Sequence, residues 1–181
     1  MTRLLRRPAV GIAVVVLVFA GGIGLYWFQP WKLLTDREVN EELASTPAPL
    51  TSGAPPRPSA SAPGPTVVRQ GKFISHEHET TGQARVIRKP GGAHVLQLAG
   101  LDTSNGPDRR VWLSDQPVRT GPDGWRVFDD GKWLELGRLK GNRGDQAYAI
   151  PAGADLDRLA SVTIWCKRFS VSFGAAGLAP A

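Results

Sequence analysis

The spacing of apolar residues changes twice along the chain and divides it into three parts. From Ala9 to Phe28 nearly every residue is apolar, and no charge occurs between Pro8 and Trp31. Twenty helical residues rise about 30 Å, the thickness of a bilayer's hydrocarbon core, so one transmembrane helix is predicted over residues 9–31. Arg3, Arg6 and Arg7 precede it, and Tyr26, Trp27 and Trp31 close it with aromatic rings suited to a membrane–water boundary. The basic tail, residues 1–8, is therefore expected in the cytoplasm and the remainder outside it. Cleavage of a signal peptide after Val18-Phe19-Ala20 is the alternative. Apolar and aromatic residues continue past Ala20, and cleavage would leave them bare, so an uncleaved signal-anchor in the plasma membrane is the expectation. Residues 32–45 form a juxtamembrane segment that is net acidic from Asp36 to Glu42.

Apolar residues then nearly vanish. Residues 46–65, TPAPLTSGAPPRPSASAPGP, hold seven Pro and a single charge, Arg57. Such a run cannot bury a core and reads as an extended disordered linker.

From residue 66 to 181 the apolar positions recur in short alternating bursts. His94-Val95-Leu96-Gln97-Leu98 alternates, Val111-Trp112-Leu113 follows a turn, and Ser161-Val162-Thr163-Ile164-Trp165-Cys166 is the strongest strand, with Val171-Ser172-Phe173 close behind. Gly91-Gly92, Asn105-Gly106-Pro107, Pro122-Asp123-Gly124, Asp130-Gly131 and Gly141-Asn142 punctuate them as turns. One helical turn, capped by Asp155, is expected at 155–159. The class is all-β: a small sandwich or barrel of about seven or eight short strands.

Charge and composition narrow the function. The chain carries 22 Lys and Arg against 16 Asp and Glu, for a net charge of +6. In residues 66–181 the balance is 16 to 12, and the basic residues are dispersed. No clustered basic patch interleaved with aromatics exists, which argues against nucleic acid as a partner. A single cysteine, Cys166, excludes an intramolecular disulfide and any multi-cysteine metal cluster. There is no Gly-x-Ser-x-Gly elbow, phosphate-binding loop or His-Glu-x-x-His, so nothing points to an independent enzyme activity.

Four stretches are similar to a known extracellular module: GKFISHEHETTGQARV (Gly71 to Val86), LDTSNGPDRRVWLS (Leu101 to Ser114), LGRLKGNRGDQAYAIP (Leu136 to Pro151) and SVTIWCKRFSVSFGAAGL (Ser161 to Leu178). Together they resemble the DM-thirteen domain, which accompanies DOMON domains in animal surface proteins and also occurs in bacteria. The resemblance spans nearly all of residues 66–181. It implies a compact β-rich fold and an electron-transfer role centred on the cysteine of the last long strand, here Cys166. An envelope redox protein would be the partner, and the lipid bilayer the anchor.

Two readings of Cys166 stand side by side. Alternation puts Val162, Ile164 and Cys166 on one face and Thr163, Trp165 and Lys167 on the other, so the thiol sits with apolar neighbours, as a core cysteine does. Arg168 returns to the thiol's side if the strand persists, and its charge would favour a reactive thiolate. The second reading makes the chain a non-catalytic binding or structural module of the cell envelope. No cofactor is required by the sequence. His76 and His78, two apart, are the candidate metal pair if that segment is extended, and with His94 and Cys166 they make a copper-like or zinc-like set. By analogy with DOMON domains, His78 or His94 is a candidate axial haem ligand. The alternative is two surface histidines near a turn. Asn105, Gly106, Pro107 and Asp108 read as a structural turn in which Gly106 is free to take φ > 0 and Asp108 pairs with a neighbouring arginine. Gly144, Asp145 and Trp165 belong to the same structural set, with Asp145 accepting backbone amides. The tripeptide Arg143-Gly144-Asp145 is read as part of a structural loop.

Overall fold

The computed structural model describes residues 8–44 and 64–181. Most of the linker expected at 46–65 lies outside the described residues, as does most of the basic tail.

Helix α1 spans Pro8–Phe28, with proline at its first position, where the missing N–H is no loss. The segment Val10–Lys32 is long and apolar enough to cross a membrane, and none of it is buried by protein. Gln29 adopts a left-handed conformation (φ 46), and Pro30 then opens a single 3-10 turn, Pro30–Leu34, that ends the apolar stretch.

The rest is a two-sheet β-sandwich, as the alternating pattern predicts. Among the described residues there are eleven strands rather than seven or eight. They are β1 Glu38–Asn40, β2 Thr66–Lys72, β3 Ile74–Ser75, β4 Thr80–Arg88, β5 His94–Thr103, β6 Arg109–Ser114, β7 Trp133–Arg138, β8 Arg143–Ile150, β9 Ser161–Cys166, β10 Val171–Gly177 and β11 Ala179–Pro180. The excess consists mostly of two- and three-residue edge strands, too short to leave an alternation in the sequence. One sheet runs β1-β8-β5-β4-β2-β11 and the other β3-β10-β9-β6-β7. Pairing is antiparallel except where β1 lies parallel to β8. That contact draws residues 36–41 from the juxtamembrane segment onto the sheet edge. There Glu41 takes the Lys140 ammonium at 2.6 Å, Asp36 takes Arg143 at 2.9 Å, and Asn142 donates to Asp36 at 2.7 Å.

The main core lies between the sheets. Val86, Leu96, Leu98 and Tyr148 meet Val111, Leu113, Val162, Ile164, Cys166 and Phe173. A second core lies on the opposite face of β9. Trp165, Trp112, Phe128 and Ala175 form it beneath the connection between β6 and β7. That connection is fastened by Ser172 N–H donating to Trp125 O at 2.8 Å and by Ser114 Oγ donating to Phe128 O at 3.1 Å. Every residue of β9 is therefore buried, on both faces. The turn at 155–159 forms as expected: Leu159 N–H reaches Asp155 O at 2.9 Å, and Asp155 Oδ1 caps Arg158 N–H at 3.1 Å.

Candidate functional site

Cys166 is the last residue of β9, paired with Arg109 of β6 on one side and Val171 of β10 on the other. Its side chain joins Val162 and Ile164 in the main core, as alternation predicts, and is fully shielded from solvent. Burial pushes the thiol's pKa up. Backbone amides of Phe169, Arg168 and Asp108 oppose that rise, and the Glu77 carboxylate adds to it. The sulfur is thus held in dry surroundings, with backbone donors that favour a negative charge on it. Arg168 does not return to the thiol. The strand stops at Cys166, and the Arg168 guanidinium donates instead to the carbonyls of Tyr26 and Trp27 at the end of α1, where Phe169 stacks on Phe28 at 5.6 Å.

The cation beside the sulfur is Arg109. Its guanidinium donates to Ser104 O at 3.4 Å and to Asn105 Oδ1, and its Nε has no partner. Burial draws its pKa down to about 10, while the nearby Tyr148 and Cys166 act in the other direction. Tyr148, whose hydroxyl donates to Gln146 Oε1 at 2.8 Å and accepts from Lys140 N–H at 3.1 Å, is pushed up to about 12, chiefly by burial. Sequence reasoning missed both residues. The ion pair expected between Asp108 and a neighbouring arginine forms with Arg110 at 2.8 Å, which leaves Arg109 to turn inward.

Tyr148 gives a pH prediction with a definite sign. Its folded-state pKa lies above the ordinary value, so its contribution is complete below about pH 10 and declines as pH rises toward 12. Urea midpoints of wild type and Tyr148→Phe, followed from pH 9 to pH 12, are expected to converge as pH increases. A constant gap between them would refute this.

Three indoles form a continuous stack on the other face of β9. Trp165, 1 % exposed, lies 5.1 Å from Trp112, and Trp112 lies 4.0 Å from Trp133 with the rings 5° from parallel. Trp133 is 42 % exposed, so the stack leads from the residue next to Cys166 to the surface. Trp112 Nε1 donates to Glu135 at 3.3 Å, and Glu135 also holds Arg110 at 2.8 Å. Offset-stacked aromatic pairs of this kind are favourable beyond the area they bury. Alternation could have placed Trp165 with Trp112, which sits opposite Thr163 in the β6–β9 register, but nothing local says that a third ring covers them.

The histidines are brought to different places. His76 and His78 lie in the bend between β3 and β4 and not on an extended strand. His76 is buried, contrary to a surface reading. Its Nε2–H donates to Arg119 O at 3.1 Å, which leaves Nδ1 to accept from the Ser172 hydroxyl at 2.8 Å. Burial lowers its pKa and keeps it neutral. Both nitrogens are occupied by protein partners, so His76 is structural. The His78 ring lies 3.9 Å from that of Phe173. His94 begins β5 opposite Arg88, while Thr103, at the other end of β5, pairs with Thr80 near His78. The length of a ten-residue strand, roughly 30 Å, therefore separates His94 from the other two and excludes a shared metal. Among the described residues no group of three or more His, Cys, Asp or Glu is placed to hold a metal ion.

The turn residues are structural in a particular way. Asn105 Oδ1 caps Gly106 N–H at 2.9 Å, as a turn asparagine does. Gly106 does not use positive φ. A Cβ there would lie 2.8 Å from Phe173 Cζ, so close approach is what excludes a side chain. Pro107 O accepts from Lys32 at 3.4 Å, tying the turn to the end of the apolar segment. Gly144 has φ +91 and lies against Val39 of β1. Asp145 Oδ1 accepts Gly100 N–H at 2.7 Å, and Arg143 bridges Asp36 and Asp102. The Arg-Gly-Asp tripeptide is therefore built into β8, between β1 and β5.

Comparison with curated proteins and with solved structures finds no match. The family model described as "Electron transfer DM13" matches residues 72–178, which begin in β2, end just after β10 and include Cys166 and the tryptophan stack. This chain belongs to the DM13 electron-transfer family.

Proposed function

We propose that this chain is a membrane-tethered electron-transfer domain, held outside the cytoplasm by α1, in which Cys166 is the redox-active group. The observation that supports this most is the setting of the sulfur. It is dry, near backbone amides that favour a negative charge on it, and next in sequence to the inner end of an indole stack that reaches the surface. Full burial argues against direct thiol–disulfide exchange, because no partner thiolate can reach the sulfur. Electron transfer needs no such contact. In the step we infer, the ionised sulfur loses one electron and becomes a thiyl radical. The electron passes by way of Trp165, Trp112 and Trp133 to a one-electron acceptor at the surface, an envelope redox protein, which is reduced by one. Because burial holds the thiol protonated, the rate should rise as pH enters and passes the ordinary thiol range.

The experiment is one-electron oxidation of the folded protein by a photogenerated ruthenium(III) polypyridyl complex, with the radical identified by electron paramagnetic resonance. Wild type should yield a sulfur-centred radical that Cys166→Ala lacks, with a yield that grows with pH. Identical radicals in the two proteins would leave Cys166 as a core residue only. A soluble alkylating reagent should modify Cys166 only after denaturation. The orientation is tested separately, by protease added to intact cells. Digestion of the β-domain supports the tether as drawn, and protection until the cells are opened refutes it.

A further inference from the structure

Arg109 carries a half-buried positive charge, with its Nε shielded from solvent and no carboxylate paired with it among the described residues. Its guanidinium reaches only neutral oxygens, and Nε reaches nothing. No carboxylate among the described residues pairs with it, and residues 1–7 and 45–63 contain no Asp or Glu. A desolvated cation is unfavourable unless an anion accompanies it. Arg109 also lines a pocket of about 410 Å³ together with Lys32, Arg37, Arg138 and Lys140. Asp108, the single carboxylate in that lining, is held by Arg110 at 2.8 Å, and Glu41 neutralises Lys140 at 2.6 Å. Lys32 and Arg37 make no ion pair among the described residues. The pocket is therefore a basic cavity with an unmet demand for negative charge.

Its position indicates the source of that charge. Lys32 is the last residue of the apolar segment Val10–Lys32, and the Pro107 carbonyl at the pocket wall accepts its ammonium. With the segment in a bilayer, the pocket opens at the level of the lipid headgroups, where lysine and arginine at the end of a span meet phosphate. A guanidinium presents a planar fork of donors that fits phosphate oxygens. We propose that this pocket binds the phosphate of an anionic phospholipid headgroup, with Arg109 as its deepest contact and Arg37 and Lys32 at its mouth. The lipid would thus seat the domain against the membrane. This relies on the membrane tether of the proposed function but not on its redox chemistry.

The test uses the full chain in nanodiscs, with thermal unfolding of the β-domain followed by tryptophan fluorescence. Adding phosphatidylglycerol to phosphatidylcholine discs should raise the unfolding temperature of wild type, because a ligand of the native state stabilises it. In Arg109→Met the fraction of phosphatidylglycerol that gives half the rise should increase about tenfold, the effect of losing charge-assisted hydrogen bonds. In phosphatidylcholine alone, Arg109→Met should melt no lower than wild type, since a partly desolvated cation without a carboxylate partner has been removed. Arg37→Gln, at an exposed position, keeps the test open if Arg109→Met fails to fold, and should weaken the response in the same direction. Arg88→Gln, at the far end of β4, should leave it intact, and so should Cys166→Ala, which separates this proposal from the redox reading. Equal rises in wild type, Arg37→Gln and Arg109→Met would overturn it as a general surface effect. A rise with inorganic phosphate in phosphatidylcholine discs and none with phosphatidylglycerol would overturn the lipid assignment in favour of a soluble phosphate ligand.

Discussion

Replacing Trp165 with alanine is expected to destabilise the β-domain by about 3–5 kcal/mol, the range for removing a large aromatic from a packed interior. Trp165 is 1 % exposed and joins the two halves of the second core, stacking on Trp112 at 5.1 Å and meeting Phe128 edge-on at 6.4 Å. The cavity left by alanine would open onto Phe128, whose ring also meets that of His76 at 5.8 Å. The connection between β6 and β7 would then loosen from the sheet. Urea unfolding gives the first effect, and faster amide exchange between residues 115 and 132 gives the second. Trp165→Phe keeps most of the volume and should lose much less. If both variants unfold like wild type, the second core contributes nothing and the connection is a surface loop. Trp165→Phe also separates stability from function. It breaks the indole stack while preserving the fold, so radical transfer to the surface should slow while the urea midpoint changes little.

The second large effect is expected at Gly144. Its φ of +91 is one that a residue with a side chain adopts only under strain, and a Cβ there would collide with the Val39 carbonyl on β1. Gly144→Ala therefore combines backbone strain with a steric clash against main chain and should cost about 2–4 kcal/mol. The damage should be local at first. β1 should detach from β8, releasing Glu41 from Lys140 and Asp36 from Arg143. Rapid exchange of the Glu41 amide, which donates to Asp145 O at 2.9 Å, would show the release directly. Gly144→Ala with a wild-type melting temperature and a protected Glu41 amide would mean that β1 does not hold this edge.

These two positions show how far the sequence could be read. The alternation in residues 161–166 separates the Cys166 face from the Trp165 face, and the structure keeps that separation. It does not reveal that both faces are buried, because the second cover comes from residues 115–132, which carry no alternation and are tied down by single contacts such as Ser172 N–H to Trp125 O. Gly106 reads as free to take positive φ, yet its requirement is room for Phe173, a residue 67 positions away in sequence. Arg168 is expected beside the thiol if the strand persists, and the sequence does not choose between Arg109 and Arg110 as the partner of Asp108. The end of β9 at Cys166 sends Arg168 to α1, and the β6–β9 register sets Arg109 opposite the cysteine. The metal-like set of histidines and cysteine fails for the same reason. Sequence spacing places His76 beside His78, but only strand pairing shows that His94 lies at the other end of the sheet.

The sequence alone determined the apolar segment, the proline-rich stretch, the β class and the family, because each rests on local composition, on short periodicity or on motifs contiguous in the chain. Tertiary structure alone decided which cation stands beside Cys166, which rings carry Trp165 to the surface, and that Arg109 is half-buried with no carboxylate paired to it among the described residues. Those facts depend on pairing between strands far apart in sequence and on a loop folding over a sheet face. Burial and electrostatic isolation arise from such long-range contacts, and no local pattern encodes them.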